Sequence, residues 1–252
     1  MLSAYMKRNA TEEDAEGLAV VSYIPCEINT PIKGIPVNFK TETMYPFREE
    51  VKITVTPSMP FAFPLYLRIP EWVEYADIFV GDEKICPQAG QFYKLEGYWE
   101  GETEVRVILH SDFKLVSRPE KLAALIRGPL VYSLPIKERW EEYPRDTGYH
   151  IYPHCDYSVY PESEWNYAFY LDKEASRPQV KENDGPAIFV FSPETPPVEV
   201  YVKAKKVEWP VVKSAAARIP HTKNCSDEVE IIKLIPYGCT NLRMTEMPII
   251  KE

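Results

Sequence analysis

Glycine is scarce in this sequence, at 10 of 252 residues, and histidine scarcer still, at 4. No G-x-S-x-G elbow is present, which removes the usual signature of Ser-His-Asp catalysis. The single glycine of IRGPLVYSL precedes a proline and no Lys-Ser/Thr follows, so there is no phosphate loop. The five cysteines, at 26, 86, 155, 225 and 239, include no C-x-x-C, no adjacent pair and no histidine at ligand spacing. A metal site built from this chain alone is therefore not expected. An odd count also rules out a complete disulfide framework, and buried free thiols are the default reading. No apolar run approaches the roughly 20 residues of a membrane-spanning helix. The opening MLSAYMKRNATEED turns polar too soon for a signal peptide. A net charge of −9 argues against a nucleic-acid partner, because phosphates must be met by a basic surface.

Proline and aromatic residues are what the chain has instead. The 24 prolines are nearly twice the usual share of about 5%. Proline removes a backbone donor and fixes φ, so it gathers at strand ends and turns rather than inside helices. Between the prolines, apolar and polar residues alternate with period 2. In VKITVT, Val51, Ile53 and Val55 oppose Lys52, Thr54 and Thr56. LYLRI sets Leu65, Leu67 and Ile69 against Tyr66 and Arg68, and EVRVILH and VEVYVKA repeat the pattern. ADIFVGDEKI reads as a hairpin around Gly81-Asp82, and PAIFVFS as a short apolar strand. Residues 1–14 are a candidate helix. EKLAALIRG fits either period and is read as a strand, because Gly128-Pro129 and LVYSL follow directly. The fold class expected is all-β, with two β-sandwich, jelly-roll-like domains.

A domain boundary is expected near 116–121, where VSRPEK breaks the alternation. Beyond it lies a long irregular stretch, 137–168, crowded with Trp140, Tyr143, Tyr149, Tyr152, Tyr157, Tyr160, Trp165 and Tyr167. Long structureless stretches inside compact domains are uncommon and often functional. Aromatic faces stack on sugar rings while Asn, Asp and Glu bond the hydroxyls, so Trp140, Tyr152, Trp165, Asn166 and Tyr167 are candidate substrate-binding residues. The competing reading is that these rings pack the loop against its neighbours. YHIYPHCDY offers His150 and His154, but in extended chain residues four apart stand about 13 Å from each other. Glu27, Glu42, Glu71, Asp77 and Glu246 are carboxylates of the kind a glycosidase uses in pairs, and such a pair is defined by separation in space.

Four stretches, in order, carry a resemblance: FPLYLRIPEW at 63–72, LAALIRGPLVYSL at 122–134, EWNYAFYLD at 164–172 and IPYGCTNLRMTEMP at 235–248. TMYPF at 43–47 and YIPCEI at 23–28 add to it. From about Gly17 to Ile250 the chain resembles the C-terminal β region of the glycoside hydrolase family 127 β-L-arabinofuranosidases and their relatives. The resemblance implies an (α/α)6 barrel in the whole enzyme, with a cysteine thiolate nucleophile at a zinc site and a glutamate acid/base, all in the barrel. None of those positions matches a residue here. Cys239 falls in the family's terminal strand motif, not at the nucleophile, and is read as a packed structural thiol.

The expectation is therefore a β region without its barrel. Residues 1–15 would be the stub leaving a missing barrel. Residues 16–118 and 226–252 would form sandwich I, with the last strand returning to it, and 119–225 sandwich II. The expected function is a non-catalytic scaffold for a catalytic barrel in cis or on a neighbouring polypeptide. The alternative is a carbohydrate-binding module that uses the aromatic loop on arabinose-containing glycans. No cofactor is expected in this chain, zinc belonging to the barrel, and no membrane or nucleic-acid partner; a homodimer is left open. Free thiols without a leader favour the cytoplasm, unless an upstream segment carries an export signal.

Overall fold

The computed structural model describes residues 4–9, 16–143, 155–172, 177–183, 190–213, 215–220 and 224–252. The chain divides into two compact units, 1–112 and 113–252. Among the described residues there is no α-helix, and the architecture is all-β.

The first unit carries β1 (Tyr5–Arg8), β2 (Gly17–Val20), β3 (Cys26–Ile32), β4 (Ile35–Thr43) and β5 (Glu50–Pro57). They are followed by β6 (Phe61–Ile69), β7 (Tyr75–Val80), β8 (Glu83–Ile85), β9 (Gln91–Trp99) and β10 (Thr103–His110). One sheet runs β1-β2-β6-β9 and the other β3-β4-β5-β10-β7-β8. Period-2 alternation decides which side chains meet. Val51 and Ile53 of β5 stand opposite Val107 and Val105 of β10, and Val107 in turn opposes Ile78 of β7. From the other sheet, Leu65 pairs with Leu95, and all of these belong to one continuous apolar cluster. Two sheets sharing one core make a sandwich, and each fully buried Val, Leu or Ile contributes about 1.5–3 kcal/mol. Trp99 seals the core, lying 5.4 Å from the Phe63 ring and donating its indole N–H to the Phe63 carbonyl at 2.8 Å.

Two details differ from what the sequence pattern predicts. Tyr66 is not solvent-facing but 4% exposed, because the Arg8 guanidinium lies over its ring at 4.4 Å. Residues 5–8, expected as helix, form β1 against β2, since Tyr5 anchors in the core beside Phe39 and its hydroxyl bonds Thr41. The other expected helical positions are described only in part. The hairpin at Gly81-Asp82 forms as expected, with Gly81 at φ +57° closing β7 onto β8.

The second unit carries β11 (Phe113–Ser117), β12 (Leu122–Arg127), β13 (Leu130–Pro135), β14 (Glu138–Tyr143), β15 (Asp156–Pro161) and β16 (Tyr167–Leu171). Then come β17 (Gln179–Glu182), β18 (Val198–Lys206), β19 (Val211–Val212) and β20 (Ala215–Ala216). The last are β21 (Glu230–Pro236), β22 (Arg243–Met244) and β23 (Met247–Lys251). The main sheet runs β11-β12-β23-β16-β18-β21-β13-β22, and β12 also pairs with β13. That extra pairing closes six strands into a hydrogen-bonded ring around Leu125, Tyr132, Phe169, Val200 and Leu234, all buried.

The last strands do not return to the first unit. β21 fills the place between β18 and β13, pairing Val202 with Ile232 and Tyr132 with Pro236. β23 joins β12 to β16. Buried Ile232, Leu234 and Ile235 find their apolar surroundings there. The unit boundary falls at 112/113 rather than at VSRPEK, which is the turn that folds β11 onto β12 and places Leu115 opposite Leu125. Glu120 and Lys121 take φ of 57° and 63° in that turn. The stretch 137–168 is less irregular than expected, since β14 and β15 pair along their whole length. Val190 and Phe191, expected at the end of a strand, lie in a turn.

A Cβ added at Gly17 would stand 2.3 Å from the Pro64 carbonyl oxygen, a backbone atom that cannot swing away. Gly17→Ala is expected to destabilise the first unit by about 1–3 kcal/mol, read as a lower urea midpoint. An unchanged midpoint would contradict the close approach of β2 to β6.

Candidate functional site

Nucleophilic thiols are the first possibility the residues raise. Cys239 ends the turn Tyr237–Cys239 after β21, is 1% exposed, and donates its S–H to the Val190 carbonyl at 3.1 Å. Burial pushes its thiol up to about 11, which leaves it protonated and unreactive near neutrality. All five cysteines are free thiols, and only Cys86 is exposed. Among the described residues no three His, Cys, Asp or Glu side chains stand together as a donor set. His150 and His154 lie outside the described residues.

Four of the five candidate carboxylates have a local partner. Glu27 accepts from Asn38 at 2.8 Å, Glu42 pairs with Lys40 at 2.9 Å and Glu246 with Arg118 at 2.7 Å, while Glu71 is exposed in the turn after β6. Asp77 is different, being 7% exposed and shared by three donors: Lys84 at 3.1 Å, Cys86 at 3.5 Å and His110 Nε2 at 3.2 Å. Glu49 approaches the other face of the cluster, 3.8 Å from His110 Nδ1, while its second oxygen accepts from the Ser111 backbone and hydroxyl. Tyr75 stacks on the imidazole at 4.1 Å. This is a clasp on the end of β10. Cys86 faces Asp77 rather than the imidazole, so no base is aimed at the thiol.

The five aromatic-loop candidates separate into two groups. Trp165 packs on Trp209 at 5.5 Å in a small core with Ala168 and Val207. Asn166 and Val207 exchange two hydrogen bonds, side-chain amide to carbonyl at 2.7 Å and backbone N–H to carbonyl at 2.8 Å. Tyr167 is 6% exposed and donates to Glu230 at 3.0 Å; burial first, then that carboxylate, pushes its phenol up to about 12. These three side chains hold the corner leading into β16. Trp140 stands apart on the β14–β15 hairpin, half exposed, edge-on to Tyr157 at 5.6 Å with its indole N–H on Glu138. Glu138 also accepts the Leu242 N–H at 2.6 Å, which fixes the root of the hairpin. Tyr152 lies outside the described residues.

A cavity of about 320 Å³ in the second unit draws on residues no sequence motif marked. β18 pairs with β16 only over Ala204–Lys206 and with β17 only over Val198–Tyr201. The cavity opens at the seam where one neighbour gives way to the other. Phe113, Leu115, Leu125 and Phe169 form an apolar wall, and Asp172, Arg177 and Lys203 add charge.

Residues 17–111 match the family model of the β-L-arabinofuranosidase GH127 middle domain. The match lies within the first unit. No curated protein matches the chain. Among solved structures, a GH127 β-L-arabinofuranosidase from Geobacillus stearothermophilus T6 is 20% identical, covers 99% of this chain and superposes with a TM-score of 0.61. A protein described as a glycoside hydrolase is 21% identical over 92% of the chain, at a TM-score of 0.61. A GH127 β-arabinofuranosidase is 15% identical over 92%, at 0.59. At these identities the structural likeness concerns the fold. This chain spans 35–36% of the length of those proteins. Its first unit is thus similar in sequence to a GH127 middle domain, and the chain is similar in fold to part of the solved GH127 structures.

Two measurements test the chemistry assigned to these groups. Iodoacetamide at mildly alkaline pH is expected to label Cys86 first and Cys239 only after unfolding; early labelling of Cys239 would contradict its burial. For Asp77, burial works to raise the carboxyl, but bonds from Lys84, His110 and Cys86 outweigh it and hold it below the ordinary carboxylate range. Its contribution is therefore full above the unfolded carboxyl's pKa and fades as pH falls through the lower folded one. The stability deficit of Asp77→Asn should accordingly shrink between neutrality and about pH 3. A deficit that stays constant would show that the clasp carries no linked proton.

Proposed function

We propose that the chain is the non-catalytic β region of a β-L-arabinofuranosidase-like glycoside hydrolase, buttressing a catalytic (α/α)6 barrel on another segment or polypeptide. The observation that carries this is the GH127 middle-domain match over residues 17–111, in a chain that spans about a third of the length of the enzymes it superposes on. Chemistry on this chain is disfavoured by its groups. A thiolate nucleophile requires a depressed pKa, and burial drives Cys239 the other way. Retaining or inverting hydrolysis requires two carboxylates facing one bond, and Glu27, Glu42 and Glu246 are each engaged with a local partner.

The purified chain is expected to show no turnover of aryl β-L-arabinofuranosides, with or without added zinc. A barrel polypeptide encoded beside it is expected to co-purify with it and to lose stability when it is withdrawn. Zinc-dependent turnover by the pure chain would overturn the proposal, as would a barrel that neither binds it nor changes on its removal.

A further inference from the structure

The seam in the second unit has the make-up of a small ligand site. We infer that the cavity between β11–β12 and β16–β18 binds a neutral, hydroxyl-rich ring, that is, a mono- or disaccharide unit. The inference concerns binding only and stands independently of the scaffold role proposed above.

Volume sets the first limit: about 320 Å³ is at the small end of the range for small-molecule sites, enough for one or two rings. The lining sets the second. Phe113, Phe169 and Tyr170 supply aromatic surface, Phe113 from β11 and the other two from β16. Asp172 and Lys203 form an ion pair at the cavity, their side chains 12% and 34% exposed, with Arg177 beside them. A carboxylate this buried is costly to strip of water, so a hydrocarbon chain filling the space would leave it worse solvated. An anion would meet Asp172, and a cation would meet Lys203 and Arg177. A neutral molecule with one apolar face and a rim of hydroxyls satisfies both walls. Its ring covers the aromatics, while adjacent hydroxyls donate to the carboxylate and accept from the ammonium and guanidinium. The seam is also built into the sheet rather than into a surface loop. The β16–β18 and β17–β18 pairings stop at Ala204 and Tyr201, so the strands on either side fix its width.

The test is saturation-transfer NMR and titration calorimetry of the intact 252-residue chain with L-arabinose, D-galactose and D-xylose, and with decanoate as an apolar probe. At least one sugar is expected to bind saturably with a Kd in the millimolar range. Tyr170→Ala and Lys203→Met should weaken it by about tenfold or more, with folding verified by thermal melts. Should Lys203→Met unfold by stranding Asp172, Arg177→Ala provides the same reading from outside the strands. Trp140→Ala, on the exposed hairpin, should leave binding unchanged. The inference is overturned if no sugar binds saturably, if decanoate alone binds, or if binding is lost in Trp140→Ala and retained in the cavity variants.

Discussion

Hydrogen bonds between Leu122–Arg127 and Leu130–Pro135 join two strands that already stand at distant places in one sheet, and much of the second unit follows from that contact. Gly128, at φ +54°, makes the tight return that allows it. With β11 along one edge of β12, and β13 and β23 sharing the other, β12 has no exposed edge to cover. β21 and β23 are then obligatory members of this unit, which explains why the end of the chain stays there. The closure also leaves few places for a ligand. Where β18 changes partners the wall opens, and a cavity with both aromatic and charged lining lies there.

The same economy governs the reactive groups. A nucleophile must be exposed, deprotonated and aimed. Cys239 is buried and protonated, and Cys86 is exposed but turned to a carboxylate. His110, the one histidine among the described residues, is spent on joining β10 to Asp77 and Glu49. These placements make structural sense of side chains that would otherwise invite a catalytic reading. They occur in a chain that spans 35–36% of the length of the solved structures it superposes on.

Strands whose faces differ in polarity were legible from sequence. Val51, Ile53 and Val55, or Val198, Val200 and Val202, announce their buried side by spacing alone. Partnerships between strands were not, because period 2 says which face is apolar and nothing about which neighbour it meets. That is why β21 and β23 were expected in the wrong unit. The β11–β12 turn reads in sequence as a domain boundary because Glu120 and Lys121 adopt positive φ without glycine to signal it. The hairpin of β14 and β15 was masked by charges interleaved with its aromatics. Trp165 was recognisable as an aromatic in a crowded stretch, but its partner Trp209 lies more than forty positions further on, beyond any local pattern. Asp172, Lys203 and Phe113 meet only through tertiary structure, and no spacing could have grouped them.

The parallel pairing of β2 with β6 has a kinetic consequence. Leu18 must find Leu65, and Val20 must find Leu67, across an intervening stretch that itself forms three strands of the opposite sheet. Closing so long a loop consumes chain entropy before the core rewards it, so nucleation is favoured in the nearest-neighbour hairpins β3–β4 and β4–β5. The N-terminal strands then dock onto a half-built sandwich, which makes them the natural last step of assembly and the first to detach under load.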